Sequence, residues 1–239
     1  MRAVAVVIPA HDEEELIGRC LASVTRALAR AREREPDLRT TAVVVLDACA
    51  DGTAEQARHW PVETLEIAAR SVGTARRLGV AHALSLVDAP PTDTWIAMTD
   101  ADTVVPPEWV THQLDLMDAG LDLILGTVRP DFADLSARHA AYWRATHHRG
   151  RPPGNVHGAN LGVRADAYAR AGGVPDLREH EDVALVRALR SLGGREIASD
   201  VHEVETSGRF RGRTPGGYAA FLRRVHACID AAPVVAPGS

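Results

Sequence analysis

Apolar residues along this chain fall into two rhythms, short continuous runs and longer stretches spaced by three and four. Val4 to Ile8 is an apolar run ended by Pro9, which predicts a buried strand rather than a cleaved leader. Asp12 to Glu15 then open a stretch in which Leu16, Ile17, Cys20, Leu21, Val24 and Leu28 recur at helical spacing, closed by Pro36. Acids in a first turn complement the helix dipole, so the predicted helix starts at Asp12. Thr41 to Leu46 reads as a second strand, Asp51-Gly52-Thr53 as a turn with Asp51 capping the next helix, and Val62 to Ile67 as a weaker third strand. Gly73 to Val87 reads as a helix, Trp95 to Met98 as a strand, Pro106 to Ala119 as a helix and Leu121 to Leu125 as a strand.

Strands alternating with helices, the strands apolar throughout, imply a mixed, mostly parallel central sheet covered by helices on both faces, an α/β fold. The pattern is lost from Arg129 to Asn155, where Arg, His, Pro and Gly accumulate around Tyr142 and Trp143, as suits an acceptor-facing segment. Order returns with a strand at Asn160 to Val163, a helix at Glu181 to Leu192, a strand at Glu196 to Val204 and a helix from Pro215 to Ile229. The expected organisation is one domain over 1–230, with halves 1–127 and 128–230, followed by a frayed tail at 231–239.

Composition narrows the chemistry. The chain has 239 residues, 46% hydrophobic and 25% charged, enough for a real core. Its net charge is −5, so the overall balance draws it neither to nucleic acid nor to an anionic surface. All 27 basic residues are Arg. Without Lys, a Schiff-base enzyme, a Walker phosphate loop and a kinase strand lysine are excluded. Cys20, Cys49 and Cys228 form no Cys-x-x-Cys pair, which points to a reducing, cytoplasmic setting. No stretch reaches the roughly 20 apolar residues of a membrane span, while peripheral membrane contact stays open.

Acids collect where predicted strands end. Asp100 and Asp102 directly follow the Trp95 to Met98 strand. In extended chain their side chains point the same way, with Cα atoms about 7 Å apart. Two such oxygen ligands suit Mg2+ or Mn2+, which in turn hold a diphosphate. Asp12 and Glu13 follow the first strand, and Asp47 ends the second. A carboxylate such as Asp47 accepts hydrogen bonds from the ring N–H of uracil or guanine. Open α/β sheets bind ligands at this edge. Taken singly, each acid also fits an ordinary turn or helix start.

Two further constellations stand out. Asp182, one turn before Leu185 and Val186 on the face that continues to Leu189, is expected to point inward, with Glu181 off that face. A buried carboxylate with a raised pKa suits a general base. The segment from Thr206 to Gly217 sets Arg209, Arg211 and Arg213 among glycines before a helix. Arginine forks and backbone N–H groups there suit a diphosphate clamp, Arg209 and Arg213 foremost. Among eleven histidines, His202 is a candidate third metal ligand, and His157 and His180 flank the presumed acceptor side.

Six motifs occur in order: Val7 to Glu14, Val45 to Thr53, Gly73-Thr74-Ala75-Arg76, Asp100-Ala101-Asp102, His157-Gly158-Ala159-Asn160 and Glu181-Asp182. Together they resemble family-2 glycosyltransferases of the GT-A fold, which move a sugar from a nucleoside diphosphate to an acceptor. The resemblance implies a UDP- or GDP-type donor held by Pro9, Ala10, Asp12, Glu13, Asp47, Arg76 and Asp100. It implies Asp102 as main metal ligand, His157, Gly158 and Asn160 on the acceptor side, and Asp182, with Glu181 beside it, as inverting base. The absence of a Gln-x-x-Arg-Trp motif favours single addition over processive synthesis, and the acceptor is unspecified.

Two other readings fit the same residues. Asp100 and Asp102 after an apolar strand also resemble the nucleophile motif of haloacid-dehalogenase-type phosphatases, in which Asp100 would be phosphorylated. The third is a sugar-nucleotide-binding scaffold without turnover.

Overall fold

A computed structural model describes residues 1–150, 152–210, 212 and 217–231, with the side chains of Cys228 and Ala231 left aside. In chain order its strands are β1 (Ala3–Ala10), β2 (Arg39–Asp47), β3 (Glu63–Ile67), β4 (Thr94–Met98), β5 (Thr103–Val104), β6 (Leu123–Pro130), β7 (Leu161–Arg164) and β8 (Glu196–Thr206). Its α-helices are α1 (Ile17–Arg34), α2 (Thr53–Ala57), α3 (Val72–Leu86), α4 (Trp109–Asp118), α5 (Ala137–Thr146), α6 (Ala165–Arg170), α7 (Glu181–Ser191) and α8 (Tyr218–Ala231). No helix among the described residues is long and apolar enough to cross a membrane.

The strands form one mixed sheet in the order β3-β2-β1-β4-β7-β6-β8-β5. β3, β2, β1 and β4 are parallel, whereas β7 runs antiparallel to β4 and to β6, and β5 antiparallel to β8. Sheet residues point alternately to the two faces, yet β1 and β4 are buried along almost their whole length. Both faces are therefore covered, which is why these strands are apolar throughout. On one face Ala5, Val7, Val43, Val45, Ile96 and Met98 pack with Ala75, Val80 and Ala83 of α3 and with Leu185, Val186 and Leu189 of α7. The other face is served by α1 and α4, which pack against each other and against β2 and β4.

Several boundaries depart from the sequence expectation, each for a local reason. α1 begins at Ile17 rather than Asp12 and has no acid in its first turn. The Glu13 carbonyl accepts the Ile17 N–H at 2.9 Å, while Asp12 has a left-handed φ of 53° that no helix tolerates. α2 takes Gly52 as its N-cap, and Asp51 acts one residue earlier by accepting the Thr53 N–H at 3.0 Å. β6 runs on to Pro130, past Leu125. β5, with two residues, is too short to leave a periodic signature. α5 lies inside the stretch with no readable pattern, because Ala140 is its one buried residue and no apolar stripe marks it.

The chain divides into two compact units. One comprises residues 1–129 and 149–206 and contains the sheet; the other comprises 130–148 and the described residues from 207 on. In the second unit α5 and α8 meet through His139 and His226, stacked with ring centroids 3.5 Å apart. Asp230 lies 3.2 Å from His139 Nε2, and Phe210 meets the His226 ring edge-on at 4.4 Å. Asp134 accepts the Gly208 backbone N–H at 2.8 Å.

Close approach of α3 to the sheet depends on Gly79, where a Cβ would lie 2.6 Å from both Val45 Cγ2 and Val7 Cγ1. Alanine in a helix interior gains about 1 kcal/mol over glycine, but overpacking a core costs about 1–3 kcal/mol. Gly79→Ala is therefore expected to lower the urea midpoint with an unchanged slope. A rise in the midpoint would show that α3 can shift without cost.

Candidate active site

β1, β2 and β4 run parallel in register and deliver Ala10, Asp47 and Met98 to one edge of the sheet. There the acids first serve the backbone. Asp47, buried, accepts the N–H groups of Ala69 and Arg70 on Oδ1 at 2.7 Å each and that of Ser71 on Oδ2 at 2.8 Å. Its main-chain oxygen lies 2.6 Å from His11 Nδ1. Asp12 Oδ1 accepts the Ala50 N–H at 2.7 Å, and Glu14 Oε2 accepts that of Gly52 at 2.7 Å. Glu13 is buried, and its N–H donates to Thr53 Oγ1 at 2.7 Å. Charged acceptors of this kind bind backbone donors about twice as strongly as neutral ones. They hold a strained edge, for Asp12, Ala48 and Arg70 have φ of 53°, 54° and 49°.

Asp47 thereby fixes the residues that start α3, where Ser71 accepts the Thr74 N–H at 3.3 Å. One turn on, α3 carries Arg76, which is 3% exposed. Its guanidinium donates to Asp100 Oδ1 at 2.5 Å and to Glu181 Oε1. A Cβ on Gly158 would collide with that guanidinium, so Gly158 lets backbone lie flat against it. Burial opposes the charge on Arg76, but Asp100, Glu181 and Asp182 outweigh it and raise the pKa. Burial pushes the Glu181 carboxyl up, and Arg76 offsets this in part.

Glu181 and Asp182 exchange the positions expected from the sequence. Glu181 is 3% exposed and precedes Leu185 and Leu189 by four and eight residues, so it shares their buried face, whereas Asp182 is half-buried at its margin. Asp182 Oδ2 accepts the Gly158 N–H at 2.8 Å and its Oδ1 the Val183 N–H at 2.7 Å. His157 adjoins this carboxylate; burial lowers its pKa, against the pull of Asp182 and Asp100. His180, the N-cap of α7, is exposed.

Asp100 and Asp102 sit in the turn after β4. The Asp100 carbonyl accepts the Cys20 thiol at 3.3 Å and the Thr103 N–H at 3.1 Å, which fixes the turn. Asp102 Oδ1 accepts the hydroxyls of Thr206 at 3.1 Å and Thr103 at 3.3 Å. Thr206 left no signal in the sequence, because its place beside Asp102 comes from the pairing of β8 with β5. His202 does not join them as a third ligand. It precedes Thr206 by four strand residues, about 13 Å along an extended chain. Its ring lies edge-on to His112 with centroids 4.7 Å apart. Among the described residues no three His, Cys, Asp or Glu side chains converge on a metal position.

Pro9 and Ala10 end β1, and the Ala10 carbonyl accepts the Cys49 thiol at 3.4 Å. Asn160, expected on the acceptor side, is buried with its whole amide used inside the fold. Oδ1 accepts Trp109 Nε1–H at 2.8 Å, and Nδ2 donates to Thr127 O at 2.9 Å and His202 O at 3.2 Å. It fixes the chain beside Gly158 rather than offering a polar group to a ligand. Arg209 belongs to the second unit, where its backbone N–H donates to Ser207 Oγ at 3.3 Å. Arg213 lies outside the described residues.

Two outcomes follow from this geometry. Arg76→Met leaves Glu181 buried without its counter-charge and is expected to cost about 3–5 kcal/mol in denaturant unfolding; a loss under 1 kcal/mol would mean the cluster is solvated. Because burial holds the folded-state pKa of His157 below its ordinary 6.5, the unfolded chain binds more protons. Its share of stability is complete above pH 6.5 and is lost as the pH falls through the folded value. His157→Gln should therefore flatten the fall in unfolding free energy on acidification below pH 6.5, and an unchanged slope would contradict the assignment.

Comparison with known proteins gives a consistent placement. No curated protein matches by sequence. The structure resembles the mannosyltransferase PcManGT from Pyrobaculum calidifontis in complex with GDP-Man and Mn2+, with TM-score 0.65, 18% identity and coverage of 88% of this chain and 58% of that one. It resembles S. aureus TarS in complex with UDP, with TM-score 0.60, 15% identity and coverage of 87% and 61%. It also resembles the glucosyl-3-phosphoglycerate synthase from Mycobacterium tuberculosis in complex with Mn2+, UDP and phosphoglyceric acid, with TM-score 0.57, 17% identity and coverage of 100% and 82%. The chain thus spans about three-fifths of the first two, and the shared fold is the GT-A arrangement expected. The sequence model described as glycosyl transferase family 2 matches residues 5–168, well over half of the chain, from β1 through the Arg76 and Asp100 positions to α6. This chain belongs to glycosyl transferase family 2.

Proposed function

We propose that this protein transfers a single sugar from a UDP- or GDP-type donor to an acceptor hydroxyl, inverting the anomeric configuration, with Asp182 as base. The observation that carries the reading is the buried Arg76 bonded to both Asp100 and Glu181, with Asp182 one residue on and held to Gly158. Family membership favours it over a phosphatase that uses Asp100 as nucleophile.

The charge balance supports a divalent cation. Asp100, Asp102, Glu181 and Asp182 supply four carboxylates against one guanidinium, and a diphosphate adds more negative charge. Two carboxylates from one turn fit Mg2+ or Mn2+, which keep sites for phosphate oxygens and water. Asp102, oriented by Thr206, with Asp100 would hold the ion. Bound there, it would neutralise charge on the leaving nucleoside diphosphate.

Within the protein, Arg76 keeps the Asp100 carboxylate turned in one direction, and Glu181 holds the guanidinium from the other side. Asp182 takes the proton of the acceptor hydroxyl as that oxygen attacks the anomeric carbon and the bond from that carbon to the diphosphate oxygen breaks. One displacement inverts configuration. The Gly158 N–H fixes Asp182 Oδ2 and gives the base its orientation.

Asp182→Asn tests the base, since the amide oxygen can still accept the Gly158 N–H while the group no longer takes a proton. Turnover is expected to fall about 10²–10⁴-fold, with donor binding by thermal shift unchanged. Turnover at the wild-type rate, or a product of retained configuration by NMR, would remove Asp182 from this role. Chelation by EDTA should abolish both turnover and the thermal shift given by UDP or GDP, and Mn2+ or Mg2+ should restore both; full activity in EDTA would exclude the metal. Donor binding with no turnover by the wild-type chain against any acceptor would favour the scaffold reading.

A further inference from the structure

The small unit formed by α5 and α8 differs in charge and in surface from the rest of the chain. Its described residues carry five arginines (Arg138, Arg144, Arg209, Arg223 and Arg224) against three acids, a net +2 within a chain whose net charge is −5. Its two helices bury little: Ala140 in α5, and Ala219, Ala220, Leu222, His226 and Ile229 in α8. It also holds every exposed Phe, Tyr or Trp among the described residues, with Tyr142 45%, Phe210 37% and Phe221 39% exposed.

α8 shows how these features are arranged. Ala219, Leu222, His226 and Ile229, at spacings of three and four, form its buried stripe. Tyr218, Phe221 and Val225 form a second stripe at the same spacing, half-buried or exposed, with Arg224 exposed beside it. The Tyr218 and Phe221 rings lie 5.9 Å apart. The neighbouring Arg223 donates to the Phe210 carbonyl, which holds a second exposed aromatic next to a guanidinium. In α5, exposed Tyr142 precedes Arg144, whose guanidinium lies 4.3 Å over the Phe132 ring.

Aromatic rings interleaved with arginines on a helix that buries only its other face suit an interface between hydrocarbon and anionic headgroups. Rings enter the acyl boundary while guanidinium groups meet phosphate. An acidic protein partner would satisfy the charge but has no need for single rings spread over two helices.

We propose that the α5–α8 unit is a docking surface for an anionic phospholipid bilayer, with Phe221 and Tyr142 inserting and Arg224 and Arg144 contacting headgroup phosphates. This holds whether or not the chain transfers sugar.

The test is co-sedimentation of the full chain with vesicles of equal parts phosphatidylcholine and phosphatidylglycerol, against vesicles of phosphatidylcholine alone. Binding is expected only to the mixed vesicles and should weaken as salt rises, with a Debye length near 10 Å at 0.1 M. An arginine near an anionic surface contributes about 1 kcal/mol, so Arg224→Gln should lower the partition coefficient about fivefold. Phe221→Ser should lower it several-fold at every salt concentration. Both variants should keep the wild-type melting temperature and the wild-type response to UDP and GDP. No binding to mixed vesicles, equal binding to both kinds, or variants that bind like wild type would each overturn the proposal. A wild-type dimer in sedimentation that Phe221→Ser dissociates would assign this face to a second copy of the chain instead.

Discussion

A single guanidinium buried among carboxylates ties the sheet edge together. Arg76 reaches Asp100, in the turn after β4, on one side and Glu181 of α7 on the other, so three separate segments share one cation. An ion taken out of water costs several kcal/mol, and only close partners offset that. Gly158 supplies what a larger residue would forbid, a stretch of backbone against the guanidinium plane. The same backbone, through its N–H, sets Asp182. Removing any member leaves another buried charge or polar group unsatisfied.

Around this centre the acids divide their work. Asp47, Asp12 and Glu14 accept backbone N–H groups and shape the loops. Asp102 is turned by two hydroxyls, and Asp182 stands at the margin of its helix, half in water. Loops with left-handed residues at Asp12, Ala48 and Arg70 are strained, and the Asp12 and Asp47 carboxylates accept backbone N–H groups within them. The sheet edge is thus built from acids that hold their own scaffold: Asp47, Asp12 and Glu14 secure the loops, and Arg76 secures Asp100.

The sites that escaped the sequence are those created by pairing between distant segments. Thr206 lies more than a hundred residues from Asp102 and meets it only because β8 pairs with β5. Asn160 belongs to the motif that the resemblance puts on the acceptor side, yet Trp109, Thr127 and His202 engage both ends of its amide. His202, a candidate ligand by residue type, lies four strand residues before Thr206, and strand rise carries it well away from that residue. Helix α5 was illegible since a helix that buries one alanine has no periodic signal.

From composition and pattern alone came the alternating architecture, the covered sheet and the carboxylates at strand ends, because burial on both faces demands apolar strands and ligand chemistry demands acids at the open edge. Six ordered motifs added the family. Tertiary structure decided which carboxylate is buried and which stands at the margin: Glu181 and Asp182 are neighbours in the chain, and only the packing of α7 against α3 turns the first to Arg76 and leaves the second half in water. A helix rotation of about 100° separates adjacent residues, and which of the two faces inward is set by what lies opposite.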